Sequence, residues 1–338
     1  DGHFPDIATD KFGDLYIVYG RNDTLYYKKF DVSENSWSDE ISPLNMYIQS
    51  PNNFGIKRSD PDIVVDSAGN PYIFAGSDFV YLKNGVWKSK RPLDRLLRDT
   101  EIAIDANDNI YLVHRGGNNG GYLGLLKFTP DTEKWVALTD PDFENLGRND
   151  HVYADIAACP VTNSLYVIQR HAIPKKVTCN ISQDGGQTWT HEGISDIEPE
   201  SPHIVVDTNG NAYATLGDGT FYVRNDENNW VSKGRVVTAE KREQPELSID
   251  LNSNIFCGCW GGKYNIRVGG TWIGEKILEP VTNRALLGYI EFASSEESTY
   301  LVWEEGTEGT GDSGMTKDSV ILVAKINTDG SILPLYKE

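Results

Sequence analysis

The sequence predicts an all-β protein, a seven-bladed β-propeller of four-stranded antiparallel blades. Three observations predict it. A two-strand phrase recurs seven times, a tryptophan stands near the end of each of the first six repeats, and no helical pattern of useful length appears. The 338 residues have room for two ordinary domains or one large all-β domain. Recurrence of the phrase along the whole chain favours one propeller domain over residues 1–338.

The copies are HFPDIATDKFGDLYIVYG (3–20), SDPDIVVDSAGNPYIFAG (59–76), DTEIAIDANDNIYLVHR (99–115), VYADIAACPVTNSLYVIQR (152–170), ESPHIVVDTNGNAYATLGD (200–218), EQPELSIDLNSNIFCGCWG (243–261) and LLGYIEFASSEESTYLVWEE (286–305). Each alternates apolar residues, turns through Asp, Asn and Gly, and resumes in a β-branched and aromatic run, which is hairpin chemistry. Recurrence at roughly 40 to 55 residues fits one blade per copy. Trp37, Trp87, Trp135, Trp189, Trp230 and Trp272 follow their hairpins in phrases such as SENSWS and ENNWVS. A large aromatic there fills the gap that widens between blades as they fan outward. LDRLLRD (93–99) is at most a turn, whereas HRGGNNGGYLG (114–124) and GTEGTGDSGM (306–315) read as loops.

Lys and Arg number 31 against 50 Asp and Glu, a formal net charge of −19. Such a surface repels nucleic acid and anionic membranes, so neither is an expected partner. No apolar run approaches the ~20 residues of a membrane span. Cys159, Cys179, Cys257 and Cys259 show no zinc spacing and no disulfide framework. Asn22-Asp-Thr and Asn180-Ile-Ser match the glycosylation sequon. A secreted or periplasmic monomer is expected.

The fourth repeat carries the most informative residues. In DHVYADIAACPVTNSLYVIQRH (150–171) the turn centres near residue 161, so His151 lies opposite His171 and Tyr153 near Arg170. In the third repeat the turn sets Asp99 opposite His114, with Arg98 and Arg115 adjacent. These blades are consecutive, which predicts that His114, Arg115, Arg98, His151, Tyr153, Arg170 and His171 share one rim. Arg242, Trp260 and Arg21 extend the expected substrate-binding set, with Arg242 and Trp260 on the far side of the mouth. His203 and His3 read as structural, and Arg224 and Arg267 as solvated outer-strand residues. No metal is expected at His151 and His171, whose one nearby third ligand is Asp150.

A cationic cluster on an acidic protein suits an anionic small ligand such as a uronic-acid sugar, because Arg matches a carboxylate with two prongs. Uronate glycans can be cut by β-elimination. The carboxylate is neutralised, a base takes the C5 proton, and an acid protonates the oxygen leaving C4. That chemistry needs no cofactor. A structural calcium in the central channel is left open.

The repeat and its opening HFPDIATDKFGDLYIVYG resemble seven-bladed propeller carbohydrate enzymes. These are the ulvan lyases and the lyases and α-L-rhamnosidases acting on rhamnosyl-α-1,4-glucuronate. The resemblance implies a polysaccharide lyase in which a His of one blade works with a Tyr and an Arg of the next, here His114, Tyr153 and Arg170, with His151 and His171 as further candidates. The rhamnosidases use a Gln-His pair. Here Gln49 is followed by Ser50, so hydrolysis is the alternative and elimination the expectation. SQDGGQTW (182–189) resembles the Asp-box of sialidase-like propellers, a structural turn. The non-enzymatic rival is a sugar-binding propeller. Lectins tend to repeat one polar set in every blade, whereas here the set changes from blade to blade.

Overall fold

The computed structural model describes residues 3–21, 24–45, 61–93, 97–116, 122–138, 153–172, 175–196, 201–239, 245–282, 284–286, 290–295, 298–307 and 317–335. They form seven antiparallel sheets, as the repeats predict. Their first strands are His3–Thr9, Asp62–Val65, Arg98–Ile104, Ala154–Ala158, His203–Val206, Glu246–Ile249 and Glu291–Ser294. The second strands are Leu15–Arg21, Pro71–Ala75, Ile110–Gly116, Leu165–Ala172, Ala212–Thr215, Ile255–Gly258 and Thr299–Thr307. These sheets are blades 1 to 7. Contacts divide the chain into two compact units, one of Asp1–Lys90 with Ser248–Glu338, the other of Arg91–Leu247.

One turn explains the repeat. Asp105 ends a first strand, and its carboxylate accepts from the amides of Asn107 and Asn109, both at 2.9 Å, and from the Tyr111 hydroxyl at 2.9 Å. Asp10, Asp66 and Asp207 make the same set with Tyr16, Tyr72 and Tyr213. Asp250 holds its two turn amides with Phe256 in the tyrosine's place. The third residue after the Asp is left-handed, a conformation that favours Gly at Gly13, Gly69 and Gly210 and that Asp108 adopts at φ 61°. Burial and the Asp105 carboxylate push the Tyr111 phenol well above its ordinary pKa, which keeps it a donor. Blades 4 and 7 replace the Asp with Cys159 and Ser295. Blade 4 also needs one more residue to turn, since the Cys159 amide reaches Ser164 where that of Asp105 reaches Asn109.

Four of the six tryptophans are seen to pack between blades, as expected. Trp87 of blade 2 stands edge-on to Tyr27 of blade 1 at 5.2 Å. Trp189 packs into the core between blades 3 and 4, and Trp37 into that between blades 1 and 7. Trp230 donates to Glu192 of blade 4 at 3.0 Å. Arg224 forks onto that carboxylate at 2.8 and 2.7 Å, so it is an interblade clasp and not the solvated residue expected. The Asp-box turn is formed as the resemblance implies. Asp184 accepts from Ser182 and from the Thr188 hydroxyl and amide, which lowers its pKa. Asn180 of the second sequon is 1% exposed, which removes it as a glycosylation site in the folded chain. Asn22 lies outside the described residues. All four cysteines are buried free thiols.

A further recurring position escaped the sequence reading. Four residues before each turn residue the first strand carries Asp6, Asp62, Glu101, Asp155, His203, Glu246 and Glu291. The Asp6 carboxylate accepts the Ile63 amide of blade 2 at 2.7 Å, and Asp155 accepts the Ile204 amide of blade 5 at 2.8 Å. An exposed strand edge is thereby satisfied by the neighbouring blade.

Candidate functional site

Alternation along the blade 4 strands sorts its side chains onto two faces. Leu165 and Val167 pack with Tyr111, Val113, Leu123 and Leu125 of blade 3. Tyr166 and Ile168 pack with Ile204, Val206 and Leu216 of blade 5. Arg170 continues the second stripe and pairs across the strands with Val177 of the same cluster. Tyr153 stands two residues before Asp155, which also faces blade 5. The Arg170 amide donates to the Tyr153 carbonyl at 2.9 Å, and the Arg170 guanidinium lies over the Tyr153 ring at 5.9 Å. The pairing of Tyr153 with Arg170 read from the turn is therefore present. Arg170 is 6% exposed and Tyr153 half-buried.

His114 does not join them. It pairs with Gly124 on the blade 3 face opposite Val113 and Leu125, the face turned away from blade 4. It is 1% exposed, and its ring lies so close over Gly124 that a Cβ there would collide with Nε2. The glycine makes room for the imidazole. The expected shared rim thus splits, because His114 and Arg115 are adjacent in sequence and point to opposite faces. Arg115 faces blade 4, opposite Leu123. His171 also leaves the Tyr153 face, and its Nε2 meets the Thr178 hydroxyl at 2.8 Å.

The remaining expected residues scatter. Arg98 lies opposite Arg115 along the backbone, as read from the turn, with its side chain outside the described residues. His151 and Arg242 lie outside the described residues altogether. Arg21 is engaged within blade 1, bridging Glu40 and stacking on Tyr26 at 3.9 Å. Trp260 is 42% exposed on the one-turn segment Trp260–Gly262 of blade 6. Among the described residues no group of three or more His, Cys, Asp or Glu is arranged to hold a metal.

His203 has the structural role expected. Its Nδ1 lies 2.8 Å from Glu246 and 3.5 Å from Asp155, so one imidazole ties together carboxylates on the two strands that flank its own. Burial opposes its charge, yet Glu246 and Asp155 together raise its pKa well above the ordinary value. A histidine held protonated cannot serve as a base.

No family model matches the sequence, and no curated protein matches it. Solved structures do. An Aleuria aurantia lectin, described in complex with Fucα1-6GlcNAc, superposes with a TM-score of 0.56 at 11% identity over 99% of this chain and 96% of its own. The chain is a β-propeller. The Dos1 propeller aligns with a TM-score of 0.55 at 8% identity, over 98% of this chain and 84% of its own. YCF48 bound to D1 peptide gives 0.50 at 13% identity and 78% coverage of each chain. Identities this low carry the fold alone, and with seven sheets this propeller has seven blades.

Proposed function

We propose that this propeller is carbohydrate-active and takes a uronate-bearing glycan at the strand ends of blade 4, held by Arg170 and Tyr153. The observation that supports this is their pairing on one face of the blade, a nearly buried guanidinium over a half-buried phenol. A forked donor in poorly hydrated surroundings suits a carboxylate, and a tyrosine suits a sugar ring with its hydroxyls. A solved relative by fold, the lectin in complex with Fucα1-6GlcNAc, makes a sugar ligand a natural one for this architecture.

The same pair suits β-elimination. Arg170 would neutralise the carboxylate, making the C5 proton acidic. A base, for which His151 is the candidate, would take the C5 proton, the C5–H electrons would form the C4–C5 double bond, the C4–O bond would break, and Tyr153 would pass its proton to the departing oxygen. His114 cannot be the base from the far face of blade 3, and His203 is held protonated. His151 stands two residues before Tyr153 in sequence and is the imidazole to test. Action on an extracellular polymer would go with a secreted or periplasmic monomer.

Incubation with ulvan or gum arabic, followed by ultraviolet absorbance of the unsaturated uronate, tests the chemistry. The reading expects that chromophore, and its loss in Tyr153→Phe and His151→Ala. Retained chromophore in Tyr153→Phe removes the phenol from the mechanism. Binding without chromophore reduces the protein to a sugar-binding propeller. No binding by either glycan overturns the proposal.

A further inference from the structure

Blades 3 and 4 both carry an arginine at the sixth position of their second strands, Arg115 and Arg170, where blades 1, 2 and 5 have Gly20, Gly76 and Gly217. By strand alternation Arg170 faces blade 5, and Arg115 faces blade 4. The blade 4 surface that meets Arg115 carries an unusual group. Gln169 follows Leu165 and Val167 on the stripe packed against blade 3 and is 1% exposed. Its Nε2 donates to the Thr178 hydroxyl at 3.3 Å, and its Oε1 is buried with no hydrogen-bond partner among the described residues. Turning the amide over would exchange the two ends and still leave one unmet. Asn180, two residues beyond Thr178 on the same face, repeats the pattern. Its Oδ1 meets His191 at 2.6 Å, while its buried Nδ2 has no partner among the described residues.

Burying polar atoms against an apolar stripe is costly unless something completes their hydrogen bonds. We propose that the junction of blades 3 and 4 is a second sugar subsite, in which Arg115 takes an anionic group and Gln169 a ring hydroxyl. A hydroxyl both donates and accepts, so it satisfies either orientation of the amide. The inference deepens the preceding one. With Arg170 toward blade 5 and Arg115 toward blade 4, the ligand is an oligosaccharide bearing more than one acidic residue across the strand ends of blade 4, and not a single terminal uronate.

Calorimetric titration separates the two readings, using glucuronate and a glucuronate-containing ulvan oligosaccharide as probes. Gln169→Leu and Arg115→Gln should each lower oligosaccharide affinity about tenfold, whereas Arg170→Gln should lower the affinity for glucuronate as well. Gln169→Leu should melt no lower than the parent, because it removes the unmet oxygen; if it fails to fold, Arg115→Gln carries the test. Unchanged oligosaccharide affinity in both variants would overturn the subsite and assign the buried amide ends to water. If Arg170→Gln loses binding while these variants do not, only this inference falls. The reverse pattern keeps the subsite and removes the Arg170 reading.

Discussion

Replacing Asp105 with alanine tests the turn on which the repeat is built. The carboxylate is 5% exposed and receives the Asn107 and Asn109 amides, the Asn109 side-chain amide and the Tyr111 hydroxyl, each at 2.9 Å. Ala106 and Asn107 are exposed, so the turn groups regain water when the carboxylate is lost. Tyr111 is fully buried and does not. A stranded buried hydroxyl costs about 1–3 kcal/mol, and the lost charged hydrogen bonds bring the expected destabilisation to about 3–5 kcal/mol. Adding Tyr111→Phe removes the stranded donor, so the double variant should recover about 1–2 kcal/mol relative to Asp105→Ala. Urea denaturation followed by tryptophan fluorescence, run as a double-mutant cycle, measures both quantities. A single-variant loss below about 1 kcal/mol, or a coupling of zero, would refute the clasp as the source of the repeat's stability.

Two further outcomes follow from buried contacts. His203 is charged in the folded state, while the unfolded imidazole titrates near 6.5, so its contribution is complete below that value and is lost as pH rises through the raised folded value. The parent should lose stability as pH rises from neutral into the alkaline range, and His203→Gln should be less stable at pH 6 with that slope removed; an unchanged slope would count against the ion-pair account. Gly124→Ala should cost about 1–3 kcal/mol by driving a methyl into the His114 ring, and His114→Ala in the same chain should relieve most of it; a neutral Gly124→Ala would place His114 elsewhere.

What the sequence made legible was chemistry that acts locally. Asp, Asn and Gly at fixed offsets write the turn, and each tryptophan follows its hairpin, so seven sheets could be counted before any coordinates. The Tyr153–Arg170 pair could be found because it depends on a single turn. Within the expected rim, His114 and His171 leave the face shared by Tyr153 and Arg170. Membership of a face alternates with every residue, so His114 and Arg115 separate although they are neighbours. Which face meets which blade is set by packing of Val113 and Leu125 against Val167, and no turn signal encodes that. The first-strand carboxylates were visible in principle as an Asp or Glu before an apolar residue, four positions ahead of the turn residue in every blade but the fifth, which has His203. Their role depends on a partner amide one blade away, about 50 residues along the chain at Asp155 and Ile204.

The most direct test of the central claim is binding of glucuronate by the parent and by Arg170→Lys, measured by titration at low and moderate salt. Lysine keeps the charge and loses the fork. The account predicts that the parent binds, that affinity weakens with salt, and that Arg170→Lys loses about tenfold or more while its melting temperature is retained. Equal affinity in the two proteins would contradict it.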